Sequence, residues 1–127
     1  MRGARLFLGF STLVWLPYGL YCLVQPGYLH DAAGVAIAST TGRIELRAMY
    51  GGLQAAIGLL ALAGVLRVGL TRTALTTLGT LCAGLATART LGVVVDGEVS
   101  SYTAMALVLE WGSTVAAVTL LRRRVSS

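Results

Sequence analysis

The sequence predicts an all-α membrane protein, a four-transmembrane-helix antiparallel bundle with both termini cytoplasmic. Hydrophobic residues make up 56% of the 127 residues and charged residues only 12%, and the mean hydropathy is +0.78. A soluble domain carries about 25% charged residues, and a small one leaves too much of its surface in water to hide this much apolar area. Four apolar segments, each close to the length of about 20 residues that a helix needs to cross a bilayer, use nearly the whole chain.

The four segments predict a single domain over residues 1–127, with spans at residues 6–24, 44–66, 73–95 and 101–121. The first span follows two arginines, as a signal peptide does. Its apolar stretch is too long for one and lacks a cleavage site of small residues, so we expect the span to be retained. Pro17 is expected to kink it. Cys22 and Cys82 are expected to act as small buried hydrophobes.

The charges outside the spans predict the orientation of the bundle. One side of a chain that crosses four times receives most of the arginines: Arg2, Arg5, Arg67, Arg72, Arg122, Arg123 and Arg124. The other side receives the acidic loop residues and one arginine: Asp31, Arg43, Asp96 and Glu98. Because cytoplasmic loops are enriched in arginine, we expect both termini inside and the protein in the bacterial inner membrane. The net charge of +5 then predicts contact with anionic membrane lipids rather than nucleic acid.

The longest connection, residues 25–42, lies between the first two spans. Its apolar middle, "AAGVAIAS", either forms a short helix on the outer face or caps the bundle. His30, beside Asp31, is expected to be exposed, because a single histidine without further ligands at suitable spacing does not make a metal site. No phosphate-binding glycine loop, nucleophile elbow or CxxC motif is present. We therefore expect neither a cofactor nor a metal ion.

Four charged residues remain inside the predicted spans: Glu45, Arg47, Arg89 and Glu110. A charge near the bilayer centre costs at least about 2.5–3.5 kcal/mol, so such side chains face the bundle interior and pair with one another. At a rise of about 1.5 Å per residue, all four fall in the outer half of the membrane, and Glu110 is the deepest. The sequence therefore predicts a polar pocket in the outer half of the bundle.

Helical spacing places further side chains beside these charges. Tyr50 lies three residues after Arg47 and Gln54 four residues after Tyr50, and Asp96 shares a face with Arg89. The predicted ligand-binding residues are Arg47, Tyr50, Gln54, Arg89, Asp96 and Glu110. The first span adds Tyr18, Tyr21 and Trp15 nearby. Small residues let membrane helices approach closely, and this role is expected of Gly51, Gly52, Gly58, Gly84 and Gly92.

Structural roles for the same charges stay open at this point. Glu45 points away from Arg47 and is placed like an early-turn acid that complements the helix dipole. Arg47 and Arg89 could serve only as ion-pair partners of Glu110 and Asp96. The Glu110 carboxyl, at its depth, either has such a partner or is held neutral, and a neutral carboxyl can act as an acid or a hydrogen-bond donor.

The segments "ELRAMYGGLQAAIG" and "ATARTLGVVVDG", with an acid in the last span, resemble a family of small bacterial four-span membrane proteins of unknown function. The shared pattern is E-x-R-A-x-Y-G-G followed by A-R-x-x-G-x-x-x-D-G, and the likeness covers nearly the whole chain. It implies a four-helix bundle and no reaction, and marks these motif positions: Glu45, Arg47, Tyr50, Gly51, Gly52, Arg89, Asp96, Gly97 and Glu110. The chain is more distantly similar to DoxX-type proteins and, by loose analogy, to the emopamil-binding class.

Three functional hypotheses follow from the sequence. The first is a protein that binds or transfers a lipid-like small molecule in the polar pocket. The second is a membrane-embedded isomerase or cyclase that uses Glu110 or Glu45 as general acid or base, so whether the protein is an enzyme stays open. The third is a structural or assembly subunit of a membrane complex, whose outer surface binds a larger partner. A homo-oligomer also stays open. Ion conduction has least support, because the inner half offers only hydroxyls such as Thr76 and Thr80.

Overall fold

The computed structural model describes residues 2–125, with side chains as far as Arg123, and this part of the chain is helical without strands. The helices are α1 (Arg2–Val24), the short α2 (Tyr28–Ala33), α3 (Thr40–Leu66), α4 (Val68–Asp96) and α5 (Ser101–Val125). The four long helices are each long and apolar enough to cross a membrane. The all-α fold with four transmembrane helices is therefore confirmed. The side chain of Arg124 lies outside the described residues.

The long helices extend beyond the apolar segments that predicted them. α3 begins at Thr40 because the Ser39 hydroxyl accepts a hydrogen bond of 3.0 Å from the backbone N–H of Gly42, as an N-cap does. α4 begins directly after Arg67, so Arg72 lies inside the helix rather than in a turn. Hydropathy marks only the lipid-embedded part of a helix, whereas arginine, a good helix former, lets the backbone hydrogen bonding continue beyond it.

Neighbours in sequence are also neighbours in space along most of the bundle. α1 packs along α3, α3 along α4, and α4 along α5, whereas α1 and α5 meet at few residues. The main apolar core lies towards the arginine-rich ends of the helices and consists largely of small and branched side chains: Ala4, Leu8, Ile57, Ala61, Ala74, Leu75 and Leu78. The half of the bundle nearest the α1–α3 and α4–α5 connections contains both apolar side chains and the buried polar residue Glu110.

Two glycines bring α3 against the backbone of α1. A methyl group on Gly58 would lie 2.5 Å from the backbone nitrogen of Leu16, and one on Gly51 would lie 2.7 Å from the Cα of Leu23. Neither distance is sterically tolerable, so the α1–α3 contact requires glycine at both positions. Their predicted packing role is confirmed.

The same role was predicted for three other glycines, and there the prediction is wrong. A methyl group on Gly84 or Gly92 would meet nothing within 4 Å, and one on Gly52 would meet only a carbonyl of its own helix at 3.8 Å. These glycines lie on helix faces that no described residue of another helix approaches closely. The small-residue rule identifies close contacts only where a neighbouring helix is present.

The connection between α1 and α3 contains a helix that starts earlier than the sequence predicted. α2 covers Tyr28–Ala33 and ends at Gly34, whose φ of 71° is left-handed, and residues 34–38 have no regular structure. The ring of Tyr28 packs edge-on against Tyr18 and Tyr21, with centroids 6.1 and 5.1 Å apart, and these contacts hold α2 against the end of α1. His30 is exposed, as predicted.

The remaining predictions for this part of the chain concern the two cysteines and Pro17. Cys22 and Cys82 are both buried and free, which confirms that they act as small core residues. Pro17 lies inside α1, and the helix continues through it.

Candidate functional site

A buried ion pair joins α4 to α5. The guanidinium of Arg89 donates three hydrogen bonds to the Glu110 carboxylate: Nη2 to Oε1 at 2.8 Å, and Nε to Oε1 and Oε2 at 3.2 and 3.1 Å. Glu110 is only 4% exposed, and the Arg89 side chain is 25% exposed. Bidentate contacts of this kind are strong and directional. The prediction that charged residues within the spans pair with one another is confirmed for Arg89 and Glu110, and neither of these two charges is left alone.

The ion pair forms part of the wall of a cavity of about 460 Å³. All four long helices and α2 contribute to this cavity, so it lies between the helices and not on one face of the bundle. The other polar or aromatic wall residues are Trp15, Tyr18, Tyr28, Tyr50, Gln54 and Tyr102. The apolar wall residues are Val14, Leu85, Met105, Ala106 and Leu109. Sites for small molecules typically have volumes of about 300–1,000 Å³ and this mixture of apolar wall and few polar groups.

A pair of tyrosines closes one end of this cavity. The hydroxyl oxygens of Tyr18 on α1 and Tyr102 on α5 are 2.6 Å apart and share one hydrogen bond. The edge-on contact of Tyr28 with Tyr18 extends this aromatic wall into α2. The cavity is therefore bounded on the side of the connecting loops by side chains that contact one another.

Trp15 contributes a polar atom that has no partner. The residue is 5% exposed and lines the cavity, and its indole Nε1 makes no hydrogen bond with any described residue. An indole N–H is a donor only, and leaving a buried donor unsatisfied costs about 1–3 kcal/mol. That nitrogen has almost no accessible surface, so it is buried behind the cavity wall, and only other atoms of Trp15 face the cavity.

The structure brings four of the predicted binding residues together: Tyr50, Gln54, Arg89 and Glu110 all line the cavity. Arg47 does not. Its Nη1 donates to the backbone carbonyl of Leu23, close to the end of α1, where helix carbonyls have no partner within the helix. The expectation that Arg47 pairs across the bundle with a carboxylate is corrected by this contact.

The local helix geometry explains why Arg47 and Tyr50 separate. Residues Arg47–Gly52 form a π-helical segment within α3. A π turn holds more residues than an α turn, and such segments occur often at functional sites. Arg47 and Tyr50 both lie in this segment, so they are farther apart around the helix axis than α-helical spacing assumed, and Tyr50 faces the cavity without Arg47.

Two predicted site residues lie outside the cavity. Asp96 is exposed as the last residue of α4, about 10 Å along the helix from Arg89. Gly97 follows it with a φ of 76° as the left-handed cap. Glu45 is exposed in the second turn of α3, because the helix begins at Thr40. Its interpretation as a first-turn acid is therefore wrong, and it also lies away from Arg89 and Glu110.

Sequence reasoning missed two of the cavity tyrosines, Tyr28 and Tyr102. Tyr102, Ala106 and Glu110 follow one another at spacings of four, so helical periodicity could have placed Tyr102 on the face of Glu110. Nothing in the sequence indicated Tyr28, because its place depends on how α2 folds back onto α1. Among the described residues, no group of three or more His, Cys, Asp or Glu side chains is arranged to hold a metal ion.

Comparison with known proteins gives one result for the whole chain. No curated protein and no solved structure shows a significant match to it. Residues 3–121 match the model of a family described as a domain of unknown function, DUF4345, and these residues include the ion pair and every residue of the cavity wall. The chain therefore belongs to the DUF4345 family of unknown function.

Proposed function

We propose that this protein binds or transfers an amphipathic, lipid-like small molecule in the cavity between its transmembrane helices. The observation that carries the proposal is the composition of the cavity wall. A neutralised ion pair, tyrosines and an amide share it with apolar side chains, inside a bundle whose outer surface is apolar. A molecule with a polar head and an apolar body matches both parts of the wall.

The surroundings of the cavity favour a ligand over an empty space. Polar groups within a membrane protein are costly unless they are hydrogen-bonded. Tyr50 and Gln54 line the cavity, and their side chains make no hydrogen bond to a described residue. A bound head group would supply partners for both. The polar wall is then explained by binding rather than by helix packing alone.

The orientation of the protein is part of the proposal. With the arginine-rich helix ends in the cytoplasm, the termini are inside and the cavity lies in the outer half of the inner membrane. The ligand would then come from the outer leaflet or from the periplasm. The likeness to DoxX-type proteins and the short motif pattern stay predictions, and fold analogy by itself says little about function.

The enzymatic hypothesis has less structural support. Both oxygens of Glu110 accept hydrogen bonds from Arg89, which stabilises the paired carboxylate, and Glu45 lies outside the cavity. No specific observation favours a proton-transfer reaction or an assembly role. Ligand binding therefore comes first, and the other two hypotheses are alternatives if it fails.

The test compares what the purified protein retains. Wild-type protein is extracted into lipid nanodiscs, and its small molecules are identified by mass spectrometry. The variant Tyr50→Phe with Gln54→Leu removes two polar groups of the cavity without touching the ion pair. The matched control, Tyr21→Phe with Gln25→Leu, makes the same changes at exposed positions outside the cavity.

We expect one molecule or class to be enriched in wild-type and control protein. Each lost hydrogen bond is worth about 0.5–1.5 kcal/mol, so the cavity variant should retain about tenfold less. Equal retention by the cavity variant and the control, or no enriched molecule in wild-type protein, would overturn the proposal.

A further inference from the structure

We infer that the ligand is a neutral lipid whose head presents carbonyl oxygens, and that its tail leaves the cavity through the gap between α1 and α5. This inference rests on the proposed function and adds the chemical class of the head and the route of the tail. Three properties of the site carry it: the charge of the wall, the balance of hydrogen-bond donors and acceptors, and an apolar groove that joins the cavity.

The charge of the wall argues against an anionic head. Arg89 and Glu110 neutralise each other, and the remaining described wall residues are uncharged at neutral pH. Arg47, which would have supplied a second positive charge, contacts the end of α1 instead. An anion would either separate the ion pair, leaving Glu110 unpaired in a buried site, or enter without a counter-charge. Both are unfavourable away from water, whereas a neutral head meets neither cost.

The hydrogen-bonding groups of the wall include several free donors. The Tyr50 hydroxyl and the Gln54 amide have no side-chain partner among the described residues. Arg89 has five N–H groups, and only those on Nε and one on Nη2 bond to Glu110. Carbonyl oxygens accept up to two hydrogen bonds and donate none, and they therefore complement this wall.

The groove that we assign to the tail lies between α1 and α5. The two helices touch near both ends: the Tyr18–Tyr102 hydrogen bond joins them beside the cavity, and Gly3 packs against Leu120 near the opposite end. Between these contacts lies an open apolar space of about 640 Å³. Its wall includes Phe7, Phe10, Met105, Val108, Leu109 and Gly112.

Continuity with the cavity identifies the occupant of this groove. Met105 and Leu109 line both spaces, so these two side chains are shared between the polar cavity and the groove. Met105 is 74% exposed, and a methionine side chain is unbranched and readily changes shape. A tail attached to a head in the cavity can pass beside it. The groove is thereby explained as the path of the ligand's tail.

The direction of the groove agrees with the orientation of a bilayer lipid. From Met105 it follows α5 to Ala116, away from the connecting loops, over about 16 Å. A molecule with its head beside Arg89 would thus point its tail towards the centre of the bilayer, as lipids of that leaflet do. It could enter sideways from the membrane without crossing the arginine-rich side.

The test uses photo-crosslinking in vesicles of neutral phospholipid. The probe is a long-chain fatty acid methyl ester with a diazirine in its tail. The competitors have the same tail and no diazirine: the methyl ester, the alkyl sulfonate and the plain alkane. We expect labelled peptides from α1 around Phe10 and from α5 around Val108. The methyl ester should compete at least tenfold more effectively than the sulfonate or the alkane.

Two variants test the route. Met105→Trp places a bulky, stiff side chain where the groove meets the cavity, and labelling should fall about tenfold. Val115→Trp is the control, because Val115 is exposed on the same helix and lines neither space. Tyr50→Phe with Gln54→Leu should lower labelling as well, because the head would lose partners.

The outcomes separate this inference from the proposed function. Equal competition by the sulfonate would overturn the neutral head. Labelling that is spread over other helix faces, or that Met105→Trp does not change, would overturn the route. A change of oligomeric state in the Met105→Trp variant would also overturn it, because the groove would then be assigned to a second copy of the chain. Retention that still depends on Tyr50 and Gln54 would leave the proposed function standing in each of these cases.

Discussion

Removing one partner of the Arg89–Glu110 pair should destabilise the bundle strongly, whereas removing both should not. Glu110 is 4% exposed and accepts all three hydrogen bonds that Arg89 donates to it. In Glu110→Leu the guanidinium loses its counter-charge, and in Arg89→Met the carboxylate does. In the double variant both charges are replaced by apolar side chains of similar size, so no ion remains to be compensated.

The expected magnitude follows from burial and depth. Breaking a buried ion pair by removing one partner costs about 3–5 kcal/mol, while replacing the whole pair by apolar residues is often neutral or stabilising. The Arg89 side chain is 25% exposed and about 10 Å from the end of α4, so it can extend partly towards the interface. We therefore expect Glu110→Leu to cost about 3 kcal/mol and Arg89→Met somewhat more. The double variant should lie within about 1 kcal/mol of wild type.

The assay is reversible unfolding by SDS in mixed micelles, followed by circular dichroism, with all four proteins of the double-mutant cycle measured together. The control is Glu45→Gln, since Glu45 is an exposed carboxylate on α3, and a change of less than about 0.5 kcal/mol is expected there. A single variant as stable as wild type, or a double variant less stable than both singles, would refute the interpretation of this pair as a mutually compensated ion pair.

Three further predictions concern the packing of Gly58, the N-cap at Ser39 and the contact of Arg47 with the end of α1. Gly58→Ala should lower the free energy of unfolding by about 1–3 kcal/mol in the same assay, because its methyl group would meet the backbone of α1. Gly84→Ala is the control and should be neutral or stabilise by up to about 1 kcal/mol. Equal effects of the two substitutions would contradict the α1–α3 packing. Ser39→Ala should cost about 1 kcal/mol through loss of the N-cap, seen as faster amide hydrogen exchange confined to the first turn of α3. Arg47→Met should lower the free energy of unfolding by about 1.5–3 kcal/mol through the lost hydrogen bond to Leu23. Ligand retention should stay within twofold of wild type. A loss of retention as large as that of the cavity variant would show that Arg47 takes part in ligand binding.

Some parts of the candidate site could be predicted because the membrane allows few alternatives. A carboxylate as deep as Glu110 needs a counter-charge. An arginine partner on another helix could therefore be inferred without coordinates, whereas the choice of Arg89 over Arg47 could not. Tyr50 and Gln54 were found because they are one α-helical turn apart on a helix whose interior face was already marked by glycines.

Other parts could not be predicted because they depend on local winding and on neighbours. The π-helical segment Arg47–Gly52 changes which residues share a face, and periodicity counted at 3.6 residues per turn cannot include it. The packing of Gly51 against α1 and the open surroundings of Gly92 follow from which helix lies beside each face. Helix pairing is a property of the assembled bundle, so residue type alone did not distinguish these glycines.

The sequence by itself determined the apolar, all-helical character of this protein, the number of its helices that can cross a membrane and the need for an interior ion pair. Composition sets how much apolar surface must be covered, bilayer thickness sets helix length, and a lone charge in lipid is too costly to leave unpaired. Only the tertiary structure decided that Arg47 and Asp96 lie outside the cavity, that Tyr28 and Tyr102 help to enclose it, and that α1 and α5 leave a gap beside it. The physical reason is that a cavity is formed by what neighbouring helices leave unfilled, and that space depends on helix pitch, helix order and the folding back of a short loop helix.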